Sequence, residues 1–361
     1  MKASLRRFLP VISWAGLAFS LFALAASAPR LIEEGGGFGT VAGNVAQYGW
    51  TFVLLLLVFA RTRTIGARTL VGAALGGFFG VGSMAVLIGK PFVALWGAQS
   101  YFVMCVFAPI TEELLKLMPV AIFMLLSARN RSWRPSVGDA VLMGVAVASG
   151  FTVYENILYA RGTGGGWFAM LPFSLLLPFI HSATGPLVGT HAVYTGVTSL
   201  SLAAAIIYGR RYQLARWALP AAVAIVVLEH SVVNRIALVG IFEELPWWVR
   251  IASMLTLHGY LSTLLFLGGV GTASVLETRM LGRGGATLPA AVRVRDVIAG
   301  LTGSPRFASL AQLLRRLRYE SMRRSAILAA AQTNNAAPDR EVVAAITQLQ
   351  HRAGLPIGAT A

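Results

Sequence analysis

Apolar residues in this chain fall in long, nearly uninterrupted stretches, not in the alternation of a half-buried strand or the striping of a half-buried helix. Eight stretches stand out: 8–28, 41–60, 70–89, 104–128, 137–160, 173–209, 217–240 and 250–277. At about 1.5 Å per residue, roughly 20 apolar residues cross a hydrocarbon layer of about 30 Å. The pattern therefore predicts an all-α polytopic membrane protein with about eight transmembrane helices. An apolar lead-in, 91–103, precedes the fourth stretch and reads as a re-entrant segment or as part of the same helix. The sixth stretch is too long for one straight span, and Pro178 and Pro186 predict a break in it. Gly72, Gly76 and Gly80 share one face of the third span, a signal of close helix packing.

After residue 278 the pattern changes. Within 305–333, Leu310, Leu313, Leu314 and Leu317 recur at helical spacing beside Arg315, Arg316, Arg318, Arg323 and Arg324. The chain thus divides into a membrane domain, 1–278, and a basic tail, 279–361, with an amphipathic helix. Such a helix suits an anionic inner-leaflet surface or packing within the protein.

Composition supports the membrane reading: of 361 residues 56% are hydrophobic and 12% charged, where a soluble domain carries about 25% charged residues. The net charge of +16 would suggest nucleic acid in a soluble chain, but its distribution gives another cause. Lys2, Arg6, Arg7, Arg61, Arg63, Arg68, Arg129, Arg131, Arg134, Arg210, Arg211 and Arg216 occupy alternate connections, against Arg30, Lys90 and Arg161 on the others. The positive-inside rule then places both termini in the cytoplasm of a multi-pass cell-membrane protein, with no nucleic-acid partner. The first span also looks like a signal peptide, but Pro29 directly after Ala26-Ser27-Ala28 argues for a retained anchor. A single cysteine, Cys105, excludes a disulfide framework.

Ionisable groups inside spans are costly and need a reason, at about 2.5–3.5 kcal/mol each on insertion scales. The fourth span carries Glu112, Glu113 and Lys116, spaced to share one helix surface. The fifth carries Glu155-Asn156, the sixth His181 and later His191, the seventh Glu229-His230 with Asn234 one turn on, and the eighth His258. Counted up from the inner basic residues, Glu112 and His230 lie at roughly 25 and 21 Å. Glu155, His181 and His258 also fall in the outer halves of their spans. Carboxylates and imidazoles at one level predict a shared, hydrated cavity suited to activating water and holding an oxyanion. No His-Glu-x-x-His helix or Gly-x-Gly-Asp motif occurs; the Glu/His set can hold a metal, but its spacing matches no familiar site, so no metal ligand and no cofactor is assigned.

Glu112-Glu113-x-x-Lys116, Phe151-x-x-x-Glu155-Asn156, His181 with Gly185 and Gly189 behind it, and His230-x-x-x-Asn234 resemble the four motifs of the PrsW-type intramembrane proteases, of the CAAX prenyl endopeptidase superfamily. The resemblance covers roughly 100–240. Lysine one residue earlier than the CAAX arginine, and Glu155 where those enzymes have histidine, favour the PrsW branch. The resemblance implies a glutamic-type protease that clips a single-pass membrane protein, such as an anti-sigma factor, on its extracytoplasmic side. In that scheme Glu112 is the general base, Glu113 and Lys116 set its charge, His181 or Glu155 holds the water, and His230 with Asn234 stabilises the oxyanion. Two other classes use the same features: a proton-coupled transporter, for which no internal duplication is evident, and a non-catalytic membrane scaffold.

Overall fold

A computed structural model describes residues 49, 51–60, 62–128, 135–159, 180–181, 188–209, 212–239, 246–284, 319, 322–328, 343–344 and 346–348. Helix α1 covers 51–58. Helix α2 (Ala67–Leu75) runs through a π-helical turn, Gly76–Val81, into α3 (Gly82–Trp96). A second π-helical turn, Val103–Phe107, leads into α4 (Ala108–Ala128), and α5 (Val137–Tyr159) follows. Two-residue strands β1 (Ile180–His181) and β2 (Val188–Gly189) pair antiparallel, Ile180 opposite Gly189. Then come α6 (His191–Tyr208), α7 (Gln213–Val239), α8 (Trp247–Leu255), a 3₁₀ turn Leu257–Gly259, α9 (Leu261–Gly284) and α10 (322–328).

The protein is a membrane protein, and among the described residues its regular structure is helical apart from that strand pair. Among the described residues five helical runs are long and apolar enough to cross a bilayer: Arg68–Trp96, Val137–Asn156, His191–Tyr208, Gln213–Arg235 and Leu261–Leu281. Helix α4 has the length at 21 residues but carries Glu112, Glu113 and Lys116. The expected span 8–28 lies outside the described residues, and 41–60 is described only at 49 and 51–60.

Several boundaries differ from the sequence reading. The lead-in 91–103 is divided: 91–96 continues α3, Gly97 turns the chain at φ 82°, and the next helix starts at Tyr101. The sixth stretch is broken, as its prolines predict, and its helix begins only at His191. The eighth is also broken, because Leu257, His258 and Gly259 take positive φ and separate α8 from α9.

Helix α5 is the post around which the others stand. Its apolar window is 89% buried, against 22% for Arg68–Trp96 and 28% for Gln213–Arg235, so α5 packs on protein and those two face lipid. Small residues let its neighbours approach to backbone contact. A methyl group at Gly150 would strike the Ala74 carbonyl, and one at Gly77 the Val147 carbonyl. Of the expected packing face, a methyl group at Gly72, Gly76 or Gly80 meets nothing within 4 Å among the described residues, and the close contacts run through Gly77 and Gly82.

Buried carboxylates fix the helix ends. Asp139 accepts from the Ser136 and Thr64 backbone N–H groups at 2.8 and 2.7 Å and from the Thr64 hydroxyl at 2.6 Å. The Ser136 hydroxyl in turn accepts from the Asp139 N–H at 2.9 Å, a reciprocal cap on α5. Glu277 of α9 accepts from the Val137 N–H, and Glu229 of α7 accepts from the Ser262 N–H at 2.9 Å in the first turn of α9. These bonds tie α5, α7 and α9 at fixed height.

Of the expected amphipathic stretch, Leu310 to Arg318 lies outside the described residues. Tyr319, Ala326 and Ile327 are buried with Ile346 against Leu281 of α9, and Arg324 donates to the Ala60 carbonyl beyond α1 at 2.7 Å. This described part of the tail packs within the protein.

Candidate active site

Four helices deliver the polar cluster. Glu112, Glu113 and Lys116 stand in the first turns of α4, Glu155 near the end of α5, His191 at the start of α6, and His230 in the second half of α7. The chain passes from β2 through Thr190, extended at φ −76° and ψ 166°, directly into α6. That turn puts His191 at the helix entrance, where its side chain faces the neighbouring carboxylates.

The contacts are short and ordered. The Lys116 ammonium donates to Glu113 Oε1 at 2.6 Å and lies 2.8 Å from His191 Nδ1. It also sits 4.5 Å from the centre of the Phe151 ring, a cation–π contact. His191 Nε2 is 2.8 Å from Glu155 Oε2. His230 Nδ1 is 3.2 Å from Glu113 Oε1, while its Nε2 points to Glu112 Oε2 at 3.8 Å. The two imidazoles meet edge to face with centroids 4.9 Å apart, and Tyr194 stacks on His230 at 5.8 Å. Each histidine is thus backed by its own carboxylate: Glu155 behind His191 and Glu113 behind His230.

Depth separates two layers. Glu113 and Lys116 are sealed, at 1% and 0% side-chain exposure, whereas Glu112, His191 and Glu155 keep 15%, 14% and 24%. The inner pair neutralises itself, as a buried ion pair must. The outer three present their polar atoms to whatever enters.

Glu112, His191 and His230 each offer one donor atom, and these atoms lie within 4.8 Å of one another. Glu112 Oε2 is buried with no hydrogen-bond partner. One carboxylate and two imidazoles, with carboxylates oriented behind both rings, match the donor chemistry of a catalytic divalent-metal site. The sequence reading assigns no metal ligand, because ligands drawn from three helices leave no local spacing motif.

The structure brings Glu112, Glu113, Lys116, Glu155 and His230 together. His181 stands on β1 with its side chain outside the described residues, and His191 joins the carboxylates. A depth count would have found it, since His191 lies 19 residues above Arg210, roughly 28 Å, whereas a helical His181 would stand roughly 44 Å up. Asn234 is turned away from the cluster, its side-chain N–H donating to the Met104 carbonyl at 2.8 Å. His258 lies in the turn before α9, 3.1 Å from the Ser253 hydroxyl.

The family model described as PrsW family intramembrane metalloprotease matches residues 66–261, from the start of α2 to the first residue of α9. The chain belongs to the PrsW family. Searches among curated proteins and among solved structures found no match. The PrsW match spans every helix that contributes to the cluster and leaves out α10 and the rest of the tail. Membership makes the chain an intramembrane protease by family, and the word metalloprotease bears directly on the Glu112, His191 and His230 triangle.

Proposed function

We propose that this chain is an intramembrane endopeptidase whose hydrolytic centre is Glu112 with His191 and His230. One observation carries the reading: Glu112 Oε2, buried without a hydrogen-bond partner, lies 3.8 Å from His230 Nε2, and Glu112, His191 and His230 bring donor atoms within 4.8 Å of one another. Glu112, His191 and His230 would hold a divalent cation, which when bound supplies Lewis acidity toward water and the scissile carbonyl. The chain's own residues do the rest. Glu155 takes the His191 Nε2 proton in a hydrogen bond and fixes that ring, and Glu113 fixes His230 through Nδ1. Lys116 neutralises Glu113, so Glu112 is the carboxylate left to handle a proton. Water oxygen bonds to the carbonyl carbon, its proton passes to the Glu112 carboxylate oxygen that would not hold the cation, and the C–N bond breaks as that proton reaches the leaving amine.

A second reading is supported by Lys116, whose ammonium is already seated at His191 Nδ1. In that form Glu112 alone is the general base of a glutamic-type enzyme. The substrate we propose is a single-pass membrane protein, of the anti-sigma-factor kind, cut near the extracytoplasmic face. The place of Glu112 in the first turns of α4, far from the basic residues after Ala128, supports that side.

The test is proteomics of membrane fractions carrying wild-type protein or Glu112→Ala at equal abundance, with and without a membrane-permeant chelator. Fragments cut just outside the bilayer are expected with wild type and absent with Glu112→Ala. Undiminished fragments with Glu112→Ala would overturn the assignment. Chelator-sensitive cleavage supports the cation-assisted form, and chelator-resistant cleavage the metal-free form.

A further inference from the structure

We infer that the Lys116 ammonium and a divalent cation compete for one donor, His191 Nδ1, which makes Lys116 the internal gatekeeper of the cation site. The inference rests on the cation-assisted form of the reading above. His191 Nε2 lies 2.8 Å from Glu155 Oε2, and as the donor of that bond it carries the proton of the neutral ring. Nδ1 is left with its lone pair, and Lys116 Nζ lies against it at 2.8 Å. One lone pair serves one partner, either an ammonium hydrogen or a metal ion.

The position of Nζ sharpens the conflict. It is 3.9 Å from Glu112 Oε2 as well, so the ammonium sits beside two of the three residues that would hold the cation. A second positive charge brought into the same buried site would be repelled by it. Lys116 nevertheless has a place to stay, because Glu113 Oε1 at 2.6 Å and the Phe151 ring hold it independently of His191. Yielding Nδ1 therefore leaves the lysine paired. The centre accordingly has two exclusive states, one closed by its own lysine and one open to a metal.

The decisive variant must remove the competitor without changing net charge, since any lost positive charge would attract cations on its own. Glu113→Gln combined with Lys116→Met meets that condition, and the glutamine keeps a polar oxygen beside His230 Nδ1, where Glu113 Oε1 lies at 3.2 Å. Full-length wild type and the double variant are purified in detergent and titrated with Co²⁺, read by visible absorption and by metal content after dialysis. Binding at least tenfold tighter in the double variant is expected, lost again when His191→Ala is added. Affinity equal to or weaker than wild type overturns the inference. Should the double variant fail to fold, Lys116→Arg decides: it keeps a cationic donor, so affinity within threefold of wild type is expected and a tenfold gain overturns the proposal. If neither protein binds Co²⁺ while Glu112-dependent fragments persist, the gatekeeper role falls and the protease reading stands in its metal-free form.

Discussion

Asn234 and His230 stand one turn apart on α7, yet packing directs them to different tasks. His230 enters the carboxylate cluster, whereas the Asn234 amide is committed to the Met104 carbonyl. Met104 lies in the π-helical turn before α4, where irregular backbone needs outside partners for its polar groups. Asn234 therefore steadies the approach to Glu112. Asn234→Ala should lower thermal stability by about 1 kcal/mol, the worth of one such bond, with turnover per folded molecule nearly unchanged. A loss of turnover on the order of a hundredfold at unchanged stability would instead restore the oxyanion role. The place of His191 turns on the same kind of local fact: the helix that starts there brings its ring to the carboxylates.

At the scale of elements, the packing of α2 on α5 depends on which glycines meet. The sequence shows a regular Gly72, Gly76, Gly80 series, but the π-helical turn at Gly76–Val81 shifts the helix face, and Gly77 presses on the Val147 carbonyl instead. Two neighbouring substitutions should thus behave oppositely. Gly76→Ala meets open space and should leave melting behaviour in detergent unchanged or slightly improved. Gly77→Ala should destabilise by about 1–3 kcal/mol, the usual range for overpacking against an unyielding backbone. Equal effects from both would refute the contact. The same crossing sets the height of α5, and hence of Glu155.

For the whole molecule, the lopsided arginines and the buried glutamates answer different questions. The arginines mark connections expected on one side of the membrane, an orientation open to direct measurement. Single cysteines placed at Arg61, Arg131 and Arg211 in a Cys105→Ala background should resist an impermeant maleimide in intact cells and react after permeabilisation. One placed at Arg161 should react in both. The reverse pattern would invert the topology and move the proposed cut to the other side. The acids divide by structure: Asp139, Glu229 and Glu277 cap helix ends, while Glu112, Glu113 and Glu155 gather with the histidines.

The sequence by itself determined the helical membrane class, the break in the sixth stretch, and most of the cluster, because long apolar runs and ionisable groups inside them have few physical explanations. Tertiary structure decided what depends on rotation and approach. It brought His191 to the carboxylates, turned Asn234 toward backbone, set Gly77 against the Val147 carbonyl, and put three donor atoms from three helices within 4.8 Å. A helix fixes the height of a residue through its rise per residue, which can be counted along the chain. Which way that residue points, and what stands opposite, follows from how neighbouring helices pack, and no local spacing records it.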